Sequence, residues 1–292
     1  MLFPIAAKDW NTAFAPDIQT KATQRLENGQ ILFLPELAFS LLQDEKHFLS
    51  TQHADPKTKN ISYHAERDKL WGVQRLTDSE HAQLKAFLSR YSHYANCLIK
   101  QLLPHYTGHL VMARTSFRPI QVSDRKSSYR KDDKRLHVDA FPSAPNQGKR
   151  ILRVFCNINP NGEDRIWRVG EPFEKVADRF LPEIKKPWQG YARLLRLLKI
   201  TKSYRTPYDH YMLNMHDKMK ADDDYQRKAN QQEVRFPPGS AWIVQTDHVS
   251  HAAMQGQYVL EQTFYLPVEA MQDPALSPLK VLEKRLSRPL IY

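Results

Sequence analysis

The stretch Leu136-His137-Val138-Asp139-Ala140-Phe141-Pro142-Ser143 sets an imidazole and a carboxylate two positions apart, just ahead of an apolar run. In an extended chain residues i and i+2 point to the same face. His137 and Asp139 can therefore grip one metal ion from one strand end. A second cluster, Thr246-Asp247-His248-Val249-Ser250-His251, offers a third ligand. Two imidazoles and one carboxylate on one side of a metal leave its other side open, a donor set that suits a non-haem Fe(II) oxygenase.

The chain carries its own control. His53-Ala54-Asp55 repeats the spacing, but Pro56 and a Lys-rich polar stretch follow it, with no strand to anchor it. With twelve histidines such a match arises by chance. His137-Val138-Asp139 differs because a strand-like run precedes it and another follows. For the third ligand, His248 and His251 lie three apart, so an extended chain points them to opposite faces and only one ligates. His251 is favoured: it lies nearest the following turn and a return strand carrying Gln262 and Thr263. His248 is then a supporting group beside Asp247.

An oxygenase of this kind needs an electron donor. With 2-oxoglutarate, two donor atoms of the acid occupy the metal and its far carboxylate needs a cation. Arg153 stands inside an apolar strand, where an unpaired charge would cost several kcal/mol. A bidentate carboxylate contact would offset that cost. The bland readings are that Arg153 faces solvent or pairs with an internal acid such as Glu261. Arg150 and Arg114 are the runners-up.

These residues need elements to hold them. Thr77-Asp78-Ser79-Glu80 is a helix start with acids in its first turn. Leu84, Phe87, Leu88, Tyr91, Ala95, Leu98, Ile99 and Leu102 then recur at helical spacing up to Pro104, the mark of a core helix backing a sheet. Strands are expected at 30–35, 109–120, 149–160, 241–245 and 258–266, with a short helix at 39–42 and turns at 235–240 and 254–257. Residues 170–233 read as a mainly helical insertion. Within it Tyr191 to Ile200 is apolar and basic with no acid. Such a helix fits an anionic membrane surface or a core position with a wet basic face; the core role is favoured. Charge and serine fill 124–135, a loop read as a substrate lid or as ordinary exposed chain. Short strands on both sides of a long insertion indicate one β-rich α+β domain rather than α/β alternation.

The 292 residues allow one large domain or two small ones. A formal charge of +11 argues for an anionic partner. Cys97 and Cys156 have no CxxC neighbour, so no zinc knuckle or redox pair is readable. No basic flank with an apolar run opens the chain, and no run reaches membrane-spanning length. The expectation is a cytoplasmic protein, at most peripheral on a membrane. Tyr204, Arg205, Tyr208 and Tyr211 interleave rings and charge, but no nucleic-acid motif is readable and nucleic acid is not expected as partner.

Taken together, His137-Val-Asp139-Ala-Phe-Pro-Ser143, Arg150-Ile-Leu-Arg153-Val-Phe155, Asn157-Ile-Asn-Pro160, Trp167, Glu171-Pro-Phe173, Ser250-His251-Ala-Ala and Leu260-Glu-Gln-Thr-Phe264 resemble the Kdo 3-hydroxylases of Gram-negative bacteria. Kdo is 3-deoxy-D-manno-oct-2-ulosonic acid, a sugar of the lipopolysaccharide inner core. The resemblance spans about 110–268 by motif. It implies a double-stranded β-helix, or jelly-roll, core at about 109–268 with the insertion at about 170–233, a mixed helical part at 1–108 and a tail at 269–292. It implies Fe(II) on His137, Asp139 and His251, 2-oxoglutarate and O2 as co-substrates, and hydroxylation at C3 of Kdo in Kdo-lipid A to give Ko. Many related dioxygenases place a cation on the strand after the distal histidine. Residues 252–268 contain no Arg or Lys, which returns the argument to Arg153, with Gln262 and Thr263 adding neutral hydrogen bonds. A basic lid (Arg125, Lys126, Arg130, Lys131, Lys134) and a basic helix (Arg193, Arg196, Lys199) suit a carboxylated, phosphorylated lipid at the cytoplasmic face of the inner membrane. The rival readings are a related dioxygenase acting on another anionic substrate, and a basic nucleic-acid or membrane-binding module without turnover.

Overall fold

A computed structural model describes residues 1–58, 60–123, 128–188 and 190–291. The N-terminal part supplies β1 (Leu2–Pro4), α1 (Pro16–Glu27), β2 (Ile31–Leu34), β3 (Ile61–His64), β4 (Lys69–Trp71) and α2 (Asp78–Leu102). Then come β5 (Val111–Arg118), β6 (Arg150–Asn157) and β7 (Arg165–Val169). The insertion holds α3 (Phe173–Phe180), α4 (Tyr191–Leu197), α5 (Pro207–Ala221) and α6 (Asp223–Lys228). The chain closes with β8 (Gln232–Phe236), β9 (Ala241–Gln245), β10 (His251–Gln255), β11 (Val259–Leu266) and α7 (Pro278–Leu286).

Eight strands form one sheet in the order β1-β2-β9-β6-β11-β5-β3-β4, antiparallel except for β1 beside β2. Three form the second, β10-β7-β8. The central strand β6 is buried along its whole length. Its alternation explains the layering. Leu152, Val154 and Cys156 join the large hydrophobic cluster that includes the apolar stripe of α2. Phe155 faces the other way, into a cluster shared with Trp167, Phe236 and Trp242 between the two sheets. Phe155 and Trp242 stack at 5.1 Å, and Phe236 stacks on Trp242 at 4.1 Å. Two facing antiparallel sheets over such an interior make the expected jelly roll.

The capping box is in place. The Thr77 hydroxyl accepts from Glu80 N, and Thr77 N donates to the Glu80 carboxylate at 2.8 Å. All eight stripe residues of α2 are buried, and Tyr91 Oη donates to Val154 O at 2.9 Å, tying helix to sheet.

Several expectations are corrected. The N-terminal part adds β1 to β4 to the large sheet, where one strand, at 30–35, was expected. No helix forms at 39–42; a short 3-10 helix begins at Gln43 instead. The strand β7 lies where no strand was expected, and β8 runs from the end of the expected insertion into the expected turn. Their signal is an alternation masked by charge: Val234 and Phe236 are buried while Glu233 and Arg235 are exposed. The turn expected at 254–257 starts later, because β10 runs to Gln255. Finally, α4 is not a core helix. Leu195 is its one buried residue, while Leu197 is 78% exposed. Cys97 and Cys156 are free thiols. Among the described residues no helix is long and apolar enough to cross a membrane.

Candidate metal centre

The ligand stretch enters the sandwich as a single bridge. His137 N donates to His251 O at 3.0 Å and His251 N donates back to His137 O at 2.9 Å. This reciprocal pair sets the two histidines directly opposite each other. Two residues on, Asp139 N donates to Thr246 O at 2.8 Å. The i, i+2 relation then brings Asp139 Oδ1 to 3.7 Å from His137 Nε2. One ligand atom from each of His137, Asp139 and His251 lies within 4.8 Å of the others.

The rings are aimed by their backs. His137 Nδ1 lies 2.8 Å from Arg135 O, and His251 Nδ1 lies 2.8 Å from Val249 O. A carbonyl oxygen only accepts, so each Nδ1 carries the proton and each Nε2 keeps its lone pair. This is the outer-shell arrangement that metal-bound histidines require. Trp167 stacks on His251 at 5.0 Å and fixes its plane. Asp139 Oδ2 is buried without a hydrogen bond, although Arg153 Nη2 stands 3.1 Å away as an ion-pair partner. An inward-facing carboxylate and two inward-facing lone pairs fit a divalent cation.

Burial lowers the His137 pKa well below that of free imidazole, with Lys220, His251 and His216 adding to it. Burial also lowers His251, against the pull of Asp139 and Val249 O. Burial alone would raise Asp139, but Arg153 and His251 hold it at about 2. Near neutral pH the set is thus two neutral imidazoles and one carboxylate.

His248 belongs elsewhere. Residues 246–249 are a turn rather than extended chain, with His248 N and Val249 N both donating to Gln245 O at 3.0 Å. The turn sends His248 against Phe173 at 5.8 Å and beneath Gly29, where a Cβ would lie 3.5 Å from the ring. Burial, aided by Arg150, depresses His248 to about 3. Unfolding exposes three imidazoles that take up protons near 6.5 while the folded state refuses them. The metal-free protein is expected to lose stability as pH falls below 6.5. The slope is about 1.4 kcal/mol per pH unit for each histidine, and the His248 share continues to about pH 3. Denaturant midpoints at pH 7, 6 and 5 measure it; a flat or rising midpoint contradicts the assignment.

Beside the metal set lies a cavity of about 200 Å³ whose lining includes Arg114, Arg118, Asp139, Arg153, Glu261 and Thr263. Arg153 points into the sandwich, not to solvent. Its Nη1 stands 3.2 Å from Glu261 Oε1, so it bridges a candidate ligand and an internal acid. Arg118 pairs with the other Glu261 oxygen. Burial would raise Glu261, but Arg118 and then Arg153 hold it ionised. Thr263 lines the cavity and bonds Glu261 at 3.2 Å. Gln262 does not join it. As the next residue on β11 it faces the opposite side, where it accepts from Thr115 Oγ1 at 2.6 Å. Arg150 is likewise spent, fully buried against Asp247 at 2.7 Å.

Of the basic loop, Arg125 and Lys126 lie outside the described residues. Arg130 pairs with Asp217 at 3.3 Å, Lys131 is exposed, and Lys134 Nζ reaches Ser123 O at 3.4 Å. Among the described residues of the loop, Asp133 lines the cavity wall. Sequence reasoning missed Arg118 and His216, whose ring lies 5.3 Å from His137 and whose Nδ1 is 2.9 Å from Asp217; Glu261, named as an internal partner for Arg153, stands beside it. Arg118 ends a strand that had been read, so only its face was lacking. No signal in the insertion announces His216.

Comparisons with known proteins agree with this geometry. The family model for 3-deoxy-D-manno-oct-2-ulosonic acid (Kdo) hydroxylase matches residues 9–289. The Kdo hydroxylase KdoO, a non-haem Fe(II) α-ketoglutarate-dependent dioxygenase solved with α-ketoglutarate and Fe(III), is 46% identical to the chain. The match covers 99% of this chain and 97% of that one, with a TM-score of 0.96. The apo form and a cobalt(II) complex of KdoO match at 47% identity over the same shares, each with a TM-score of 0.96. Among curated protein sequences no match is found.

Proposed function

The chain belongs to the Kdo hydroxylase family, and from that premise we infer that it is an Fe(II)/2-oxoglutarate-dependent dioxygenase that hydroxylates Kdo. The readings as a dioxygenase for another substrate class or a binding module without turnover give way to that family. The finer proposal is hydroxylation at C3, giving Ko, on Kdo attached to a lipid A precursor. The whole chain acts as one dioxygenase domain, in the cytoplasm or peripheral on the inner face of the inner membrane.

The single observation that supports this most is the grouping of His137, Asp139 and His251, with both Nδ1 protons already committed to backbone carbonyls. These three residues hold the iron. When bound, iron with 2-oxoglutarate and O2 supplies the oxidant that places oxygen in a C–H bond, and the co-substrate leaves as succinate and CO2. Arg153 receives the far carboxylate of the co-substrate. In the metal-free protein its charge is shared between Asp139 and Glu261. A cation held by Asp139 would weaken that residue's pull on Arg153 and leave its guanidinium to a bound carboxylate, with Arg118 also lining the cavity. Thr263 adds a hydroxyl. The aromatic wall of Phe155, Trp167 and Trp242 keeps water from the rear of the site. Arg125, Lys126, Arg130, Lys131 and Lys134 draw the anionic substrate in, an effect on association that salt screens.

The test is turnover with a Kdo-bearing lipid A precursor, Fe(II), 2-oxoglutarate and O2. One succinate is expected per product one oxygen heavier, and a substrate deuterated at C3 should lose one deuterium. Oxygen insertion without deuterium loss removes the C3 assignment. Succinate release on another anionic substrate, with none on the Kdo lipid, removes the lipid-linked Kdo.

A further inference from the structure

The segment around α4 departs from the rest of the surface. Gly190 caps it in the left-handed region (φ +91°), and Leu195 alone is buried within the helix. Leu194, Leu197 and Leu198 fall at i, i+3 and i+4 on one face and are 41%, 78% and 58% exposed. Ile200 and Trp188 on either side are exposed as well. Scattered exposed apolar residues need no explanation, but a clustered set marks an interaction surface. Its charge says with what. From 184 to 208 the chain carries seven Lys or Arg and no Asp or Glu. Next to the ridge opens a cavity of about 470 Å³ whose lining includes Lys186, Arg193, Arg205, His210 and Arg288 and, among the described residues, no acid.

We propose that this segment is a membrane-docking surface. Trp188, Leu194, Leu197, Leu198 and Ile200 enter an anionic bilayer, and the basic cavity takes a lipid phosphate at its interface. Leucine and tryptophan flanked by arginine and lysine is the composition that lies in the headgroup boundary. Charge complementarity selects an anionic bilayer over a second copy of this basic chain. The surface is joined to the site. Lys202 N donates to Ser143 O at 2.9 Å, and Arg205 donates to Pro142 O. Pro142 and Ser143 directly follow Phe141, which lines the cavity beside the metal set. Docking therefore brings the loop behind the metal ligands to the membrane face. This deepens the proposed reading, in which the substrate is lipid-linked, by naming the surface that meets the lipid.

The experiment is vesicle flotation of the full chain without substrate, paired with the visible charge-transfer band of its Fe(II)/2-oxoglutarate complex under anaerobic conditions. Wild type should float with phosphatidylglycerol-containing vesicles and stay behind with pure phosphatidylcholine. Leu197→Glu/Leu198→Glu should lower partitioning by about tenfold or more, as should Arg193→Glu/Arg196→Glu. Both variants change exposed side chains away from the metal set and should keep the band. Wild type that ignores anionic vesicles overturns the proposal, as does Leu197→Glu/Leu198→Glu floating like wild type. So does a wild-type dimer that this variant splits without any vesicle binding. The band reads the site and flotation reads the surface, so either can fail alone.

Discussion

His251→Ala should bind Fe(II) more than about 100-fold more weakly than wild type and lose turnover, whereas His248→Ala should keep both. The contrast is large because the two residues differ in where they point, not in type. His251 offers one of three candidate ligand atoms that lie within 4.8 Å of one another, with its Nδ1 bound to Val249 O. Removing a ligand should exceed the 10–100-fold typical of losing an outer-shell partner. His248 packs against Phe173 on the far side of the turn, so its loss costs stability, about 2 kcal/mol, and not iron. Anaerobic titration with Fe(II) and 2-oxoglutarate reads the difference directly. A band that survives in His251→Ala, or vanishes in well-folded His248→Ala, would falsify the ligand assignment. His137→Ala should behave as His251→Ala does.

Arg153→Ala has the second largest expected effect. Its guanidinium stands between Asp139 at 3.1 Å and Glu261 at 3.2 Å. Truncating one partner of a buried charged pair costs about 2–5 kcal/mol, which corresponds to roughly a 30- to several-thousand-fold loss of affinity. We expect the 2-oxoglutarate concentration needed for the charge-transfer band to rise by about 100-fold or more, with Fe(II) binding less affected. The metal-free variant should also be less stable, because Asp139 then loses its ion-pair partner and Glu261 keeps only its pair with Arg118. Arg153→Lys keeps the charge but loses the two-pronged geometry and should fall between. If Arg153→Ala saturates with 2-oxoglutarate at the wild-type concentration, the anchor lies elsewhere, and Arg114 and Arg118 on the same cavity become the residues to change.

Part of this was legible in the chain. The eight-residue stripe of α2 and its Thr77 cap are local patterns, and local patterns survive folding. The His137-Val138-Asp139 spacing stated its own geometry, since a two-residue step in an extended chain fixes a face. The distant partner was harder. Sequence logic chose His251 by an incomplete reason: it assumed extended chain, where Gln245 O in fact gathers the next amides into a turn. The Gln262 error is of the same kind. Gln262 and Thr263 are neighbours, so one strand cannot aim both at the cavity, and the register of β11 against β6 picked Thr263.

What the sequence determined alone was the chemistry on offer: two imidazoles and a carboxylate at strand ends, an arginine in an apolar strand, and an acid-free basic segment. Residue type and short-range spacing carry that information. The tertiary structure decided which faces meet. Only the pairing of His137 with His251 brings the candidate ligands together. Only the packing of the two sheets turns Arg153 inward beside Glu261 and not outward to water. Only the surroundings of α4 decide that Leu195 is buried while Leu194 and Leu197 stand in solvent. A side chain's identity is local, but its surroundings are contributed by elements far along the chain, and no periodicity within one element encodes what another will place against it.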